Sequence, residues 1–128
     1  MAPLIYLDTH VVVWLFTGHA DRLSKKARKL IEEDSELMIS PMVVLELEYL
    51  HEIERLAVGG REIAHGLATQ IGLQICPLPF PTVIDAAIDQ SWTRDPFDRL
   101  IVAQAVAATS PLLTKDATIR RHCKLARW

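Results

Sequence analysis

The chain has 128 residues, half of them hydrophobic and 23% charged, with a formal net charge of −2. This length and composition predict one globular domain over residues 1–128 and exclude a disordered chain. The longest apolar runs, such as residues 11–16, are far too short to cross a bilayer, and no basic segment opens the chain. Neither a transmembrane helix nor a signal peptide is therefore expected.

Cysteine and basic residues give weaker indications. Cys76 and Cys123 match no metal or redox spacing, so reduced thiols in a cytoplasmic protein are the favoured interpretation. Basic side chains crowd the C-terminal end of the chain. They are Lys115, Arg120, Arg121, Lys124 and Arg127. The last four are candidate RNA contacts because such a cluster can hold phosphates, although a solvated helix face explains it equally well.

The first half of the chain alternates short apolar runs with helical patterns. Residues 4–7 predict a buried strand ending at Asp8, and 37–39 predict a second strand. Residues 11–16 fit either a strand or a buried helix that Asp8 and Thr9 would cap. Ser24 is a suitable N-cap for a helix over 25–33. Pro41 suits the first turn of a helix running to about residue 56, before the Gly59-Gly60 pair.

The second half continues the same alternation. We predict helices over 61–71, 82–92 and 96–108, and a short one starting at Asp116. Strands are predicted at 73–78 and 111–114, with a last short one at 125–128. Strands alternating with helices are typical of an α/β domain with a mainly parallel sheet.

Three aspartates occupy element boundaries. Asp8 and Asp116 follow predicted strands, and Asp98 lies at the start of a helix that is apolar nearly all round. Each is explained singly as a cap or as an acid favoured by the helix dipole. Ligands of parallel sheets, however, bind beyond the carboxyl ends of the strands. We therefore expect all three carboxylates at one shared cavity.

Glu46 is a fourth candidate because of its position on the helix starting at Pro41. At 100° per residue, Glu46 falls inside an apolar arc, whereas Glu48 falls on the opposite, solvated face. That arc contains Met42, Leu45, Tyr49, Ile53 and Leu56, and it is extended by Val43, Leu47 and Leu50. A glutamate in such an arc needs a cation, either a basic residue such as Arg99 or a metal.

Four converging carboxylates repel one another, by roughly 4 kcal/mol per pair at about 4 Å and an effective dielectric near 20. A divalent cation relieves that repulsion, and hard oxygen ligands favour Mg²⁺ or Mn²⁺. Asp8, Glu46, Asp98 and Asp116 thus indicate a metal-dependent phosphoryl-transfer site. Thr9 and Thr114 neighbour these acids and are possible supporting residues, as are Asp95 and Arg99.

Four segments resemble PIN-domain ribonucleases of the VapC toxin type, from type II toxin–antitoxin pairs. They are YLDTHVVVWL from Tyr6, ISPMVVLEL from Ile39, DPFDRLIVAQA from Asp95 and LLTKD from Leu112. The third is fairly specific, and the order and spacing agree along nearly the whole chain. The resemblance implies a three-layer α/β/α fold with Mg²⁺ or Mn²⁺ held by the four acids. It also implies endoribonuclease activity on RNA, a small antitoxin protein as inhibitor, and a homodimer.

Alternatives remain open at this point. A PIN fold also serves outside toxin pairs, as a nuclease or as an RNA-binding module without catalysis. A receiver-type phosphoacceptor domain shares the length and the acidic Mg²⁺ pocket, but has paired acids after its first strand. A haloacid-dehalogenase-type phosphatase has a second aspartate where His10 stands.

Overall fold

The computed structural model describes residues 3–33 and 35–128, which build one five-stranded parallel sheet between helices. The strands are β1 (Leu4–Leu7), β2 (Glu36–Ile39), β3 (Gln74–Ile75), β4 (Leu112–Leu113) and β5 (Ala126–Arg127). Their order across the sheet is β3-β2-β1-β4-β5, and every pairing is parallel. The predicted α/β class with a parallel sheet, in three layers, is confirmed.

Seven helices connect and cover the strands of the described chain. They are α1 (Thr9–Phe16), α2 (Lys25–Glu32), α3 (Pro41–Glu52), α4 (Gly60–Ile71), α5 (Phe80–Ile88), α6 (Pro96–Ala107) and α7 (Ala117–His122). The ambiguous segment after β1 is a helix, because Asp8 caps it by accepting the Thr9 N–H. Within the described residues, none of the helices has the length and apolarity needed to cross a membrane.

The core lies where α1 and α6 pack against the middle of the sheet. Leu7, Val12, Val102 and Leu112 are fully buried there. Helix α6 has a run of five buried residues, from Ile101 to Ala105, as its nearly all-round apolar sequence predicted. A carboxylate at the start of α6 is therefore fixed by a rigid, central element.

Helix α3 differs from its prediction in length and in orientation. It ends at Glu52, four residues early, because Glu54 adopts a left-handed conformation (φ 64°) and the Arg55 N–H turns back to the Leu50 carbonyl. Only part of the predicted apolar arc faces the core. Leu45, Tyr49 and Ile53 are 55%, 46% and 42% exposed.

Val43 and Leu47, at one end of the predicted arc, are fully buried, so the core-facing side of α3 is rotated toward that end. Glu48 is not a solvated-face residue either, since it is half-buried and accepts the Gly60 N–H at 3.0 Å. At Gly60 an added Cβ would lie 2.2 Å from the Val44 carbonyl oxygen. Glycine is thus required where α4 begins against α3, rather than only to end a segment.

Two more boundaries correct the predictions. The third strand spans residues 74–75 and not 73–78, because β3 is an edge strand and Pro77 has no N–H to continue the ladder. Helix α5 spans residues 80–88 and not 82–92. It begins early because Pro81 is accommodated in its first turn, and its last carbonyls are bound by Arg99.

Candidate active site

The four candidate acids face one cleft at the carboxyl end of the sheet. Strands β1 and β4 are neighbours, and the chain order reverses between them, which is where ligands bind in parallel sheets. Asp8 follows β1 and Asp116 follows β4, while α3 and α6 bring Glu46 and Asp98 to the same place. The cleft has a volume of about 340 Å³ and all four acids line it.

Asp8 is the most buried of the four, at 4% exposure. One carboxylate oxygen accepts the Thr9 N–H at 2.8 Å, and the other accepts the Thr114 hydroxyl at 2.7 Å. Charge-assisted bonds of this kind offset the cost of burying the carboxylate. Asp8 is therefore both the N-cap of α1 and part of the cleft floor.

Asp116 repeats this arrangement on the neighbouring strand. It caps α7 by accepting the Ile119 N–H at 2.9 Å, and its own N–H donates to the Thr114 hydroxyl oxygen at 3.1 Å. Thr114 is fully buried and so connects Asp8 to Asp116. Thr114 was predicted from the sequence as a possible supporting residue next to the acids.

Glu46 enters the cleft from α3 and is half-buried. The Thr9 hydroxyl donates to its carboxylate. Burial raises the pKa of Glu46, with the charges of Asp8 and Asp95 adding to the rise, while the Thr9 bond opposes it. Glu46 thus reaches the site, although Leu45, Tyr49 and Ile53 of the predicted apolar arc are exposed.

Asp98 has a strongly raised pKa. Burial raises its pKa to about 7, and the charges of four neighbouring acids add to the rise. Those acids are Asp8, Asp95, Asp116 and Glu46. Asp98 is not the cap of α6, because Asp95 accepts the N–H groups of both Phe97 and Asp98. Asp95 is thus the N-cap of α6, and its charge also raises the pKa values of Asp98 and Glu46.

A hard divalent cation fits this donor set, since all four side chains offer carboxylate oxygens and repel one another. Among the residues that the structure describes, no three such side chains are close enough to hold an ion as they stand. Binding would therefore require at least one carboxylate to shift toward the others. The charges of four neighbouring acids add to the burial that raises the pKa of Asp98, so a bound cation would relieve their repulsion.

The proposed basic contacts lie elsewhere. Arg99 donates to the Ala87 and Ile88 carbonyls at the end of α5, so it caps that helix rather than orienting an acid. Arg120 and Arg127 donate to the carbonyls of Lys115 and Lys124. Arg120, Arg121, Lys124 and Arg127 do not line the cleft, and RNA contact by them stays a prediction.

Besides aliphatic side chains, three cleft residues were missed by sequence reasoning, namely His10, Trp14 and Arg55. The His10 Nε2 accepts the Lys115 N–H at 2.8 Å, which leaves the proton on Nδ1, 3.7 Å from Asp8. Burial lowers the pKa of His10. The spacing of His10 and Trp14, four residues apart directly after Asp8, was the available signal. Arg55 gave none, since its position depends on the early end of α3.

Comparisons with known proteins bear on the family and the fold. The family model described as PIN domain matches residues 5–125. The chain is 35% identical over 121 residues to Ribonuclease VapC22 of Mycobacterium tuberculosis (strain ATCC 25618 / H37Rv), covering 92% of this chain and 91% of that one. Its fold resembles the crystal structure of VapBC2 from Rickettsia felis bound to a DNA fragment from their promoter. That match has a TM-score of 0.68 at 16% identity and covers 97% of both chains.

Proposed function

Because this chain belongs to the PIN domain family, we propose that it is a metal-dependent endoribonuclease and the toxin of a toxin–antitoxin pair. The convergence of Asp8, Glu46, Asp98 and Asp116 on one cleft is the observation that carries the proposal. The similarity to a ribonuclease along nearly the whole chain supports it. Membership of the PIN domain family also excludes the receiver-domain and haloacid-dehalogenase alternatives.

The protein contributes to the reaction by binding the metal and by orienting the carboxylates that bind it. Asp8, Glu46, Asp98 and Asp116 would hold Mg²⁺ or Mn²⁺, which would supply a water nucleophile at neutral pH and stabilise the leaving oxygen of RNA. Thr9 and Thr114 fix the carboxylates of Glu46 and Asp8 through their hydroxyls, so those ligands are oriented in advance. Arg55 also lines the cleft, and its guanidinium would bind a phosphate of the RNA.

Cleavage of a labelled single-stranded RNA by the purified chain tests the activity. We expect cleavage with Mg²⁺ or Mn²⁺ and none after chelation with EDTA. Glu46→Gln should abolish cleavage, whereas Glu48→Gln on the same helix should not. Absence of cleavage over a broad panel of RNAs with either metal would refute the nuclease proposal.

We also propose a small antitoxin protein as partner, in keeping with the VapBC2 likeness. The cleft combines acids with an apolar wall of Val13, Leu50 and Leu56. A partner segment with apolar residues and one arginine would fit both parts, because the guanidinium pairs with carboxylates in two hydrogen bonds. Expression alone should arrest growth, and co-expression with the small neighbouring gene should relieve the arrest. Harmless expression would exclude the toxin role and leave the nuclease proposal intact.

A homodimer is proposed on the outer side of α3. The apolar strip, defined as Leu45, Tyr49 and Ile53, adjoins a groove of about 440 Å³ where Phe80 is 67% exposed. A second copy would cover the strip.

Light scattering tests the dimer. We expect twice the monomer mass for the wild-type chain and the monomer mass for Tyr49→Glu. Ile71→Glu, which changes a side chain of similar exposure at the end of α4, is the matched control and should remain dimeric. A monomeric wild-type chain would exclude this dimer.

A further inference from the structure

One wall of the cleft is aromatic. His10, Val13 and Trp14 are three and four residues apart on α1, so they share a face, and that face lines the cleft. The same helix begins at Asp8 and Thr9, on the acidic floor. Trp14 therefore stands about one and a half helical turns from the acidic floor, at a fixed distance from the carboxylates.

Neighbouring rings hold Trp14 in place. The His10 ring meets it edge-on, with centroids 5.1 Å apart and an interplanar angle of 62°. Trp128, from the C-terminal end of the chain, lies 6.0 Å away at 55°. Lys115 fixes His10 through its backbone N–H. Trp14 is only half-buried, so it offers aromatic surface whose orientation is already set.

Positive charge surrounds this aromatic surface. The Arg22 guanidinium and the Lys115 ammonium each lie 6.0 Å from the Trp14 ring centroid, and both side chains are exposed. This distance is the outer limit of a cation–π contact, so either cation is easily displaced from the ring. Aromatic rings with adjacent cations are the general means by which proteins bind unpaired nucleotides.

We propose that Trp14 is the stacking platform for one unpaired base of the RNA, beside the phosphate at which the RNA is cleaved. The proposal rests on the nuclease function above. The base displaces Lys115 or Arg22 from the ring, and the freed cation meets a neighbouring phosphate. A base can stack on Trp14 only if it is free of its duplex, so the site selects single-stranded RNA or a loop.

An abasic walk tests this in the cleavage-blocked Asp98→Asn protein. Single-stranded RNA oligonucleotides, each lacking one base at a different position, are titrated by fluorescence anisotropy. We expect one position where base loss weakens binding about tenfold, since a stacked base contributes about 1–3 kcal/mol. With Trp14→Leu added, binding of the intact RNA should fall about tenfold and the sensitive position should disappear. Trp14→Phe should retain most of both.

Trp92→Leu is the control, because Trp92 stacks on His122 outside the cleft. It should leave the abasic profile unchanged. Two results would overturn the stacking proposal if the wild type still cleaves RNA. One is a sensitive position that persists in Trp14→Leu, and the other is an abasic profile of the Asp98→Asn parent that shows no sensitive position. RNA that the wild type neither binds nor cuts would instead refute the nuclease function. Thermal melting tests whether the Trp14→Leu variant is folded. The abasic walk on the Asp98→Asn parent does not depend on that variant, so it tests the proposal even if Trp14→Leu fails to fold.

Discussion

The cleft contains two kinds of carboxylate, and their surroundings differ. Asp8 and Asp116 are helix N-caps whose charge is stabilised by backbone N–H groups, with Thr114 bridging between them. Glu46 and Asp98 have raised pKa values, because burial and the neighbouring acids disfavour their charge. One pair therefore stabilises the fold while serving the site, whereas the other costs stability until a cation arrives.

This difference separates function from folding experimentally. A change at a cap affects both, so loss of activity there is ambiguous. A change at Glu46 or Asp98 removes a repelled charge, so loss of activity with undiminished stability identifies a functional group. Substitution of any of the four acids should thus lower catalytic activity. Substitution of Asp8 or Asp116 should also lower stability, whereas substitution of Glu46 or Asp98 should not.

The largest expected effect is on cleavage. Asp8→Asn, Glu46→Gln, Asp98→Asn and Asp116→Asn should each lower kcat/KM for RNA by at least about 100-fold, since each removes a charge on which the metal depends. Initial rates with saturating Mg²⁺ measure this. Glu48→Gln keeps its acceptor for the Gly60 N–H and should stay within about threefold of wild type. Equal losses at Glu46 and Glu48 would contradict the assignment.

The next effect is a loss of stability at the cap. Asp8→Asn should lower the metal-free unfolding free energy by about 1–3 kcal/mol, because it removes a buried charge-assisted acceptor of the Thr9 N–H and the Thr114 hydroxyl. Urea denaturation in EDTA measures the change. An unchanged midpoint would mean that Asp8 does not stabilise the fold.

A smaller gain is expected at Asp98. Without metal, Asp98→Asn should raise the melting temperature by a few degrees at pH 8, since it removes one of several repelling charges while Asp95 remains the cap. Calorimetry in EDTA tests this, with and without added Mg²⁺. Mg²⁺ should stabilise the wild type more than the variant. A clear loss of stability in EDTA would assign a capping role to Asp98 instead.

The smallest effect concerns pH. The folded-state pKa of Asp98, about 7, exceeds its unfolded value near 3.8, so the folded protein binds more protons between these values. Metal-free stability from this group therefore falls as pH rises from about 4 to 7. Melting in EDTA should show a higher transition at pH 5.5 than at pH 8, after subtraction of the Asp98→Asn profile. An identical pH profile for the two proteins would contradict the raised pKa.

Local sequence signals predicted the elements that depend on local interactions. The first strand, the start of α6 at Asp95-Pro96 and the helix at Asp116 lie where the sequence placed them, because capping side chains and N-terminal prolines act within a few residues. The extents of the third strand and of α5 were wrong, because an edge position and the Arg99 contacts determine them.

Sequence by itself therefore determined the α/β alternation and the four candidate acids. Both depend on neighbours in the chain, whereas the sequence left open whether Asp95 caps α6 or supports the site. Only the tertiary structure decided which side of α3 meets the core, since periodicity marks an apolar face but not what covers it. It also decided that Arg55 and Trp14 share a cleft with the acids and that Arg99 does not. Such placements depend on contacts between residues far apart in sequence.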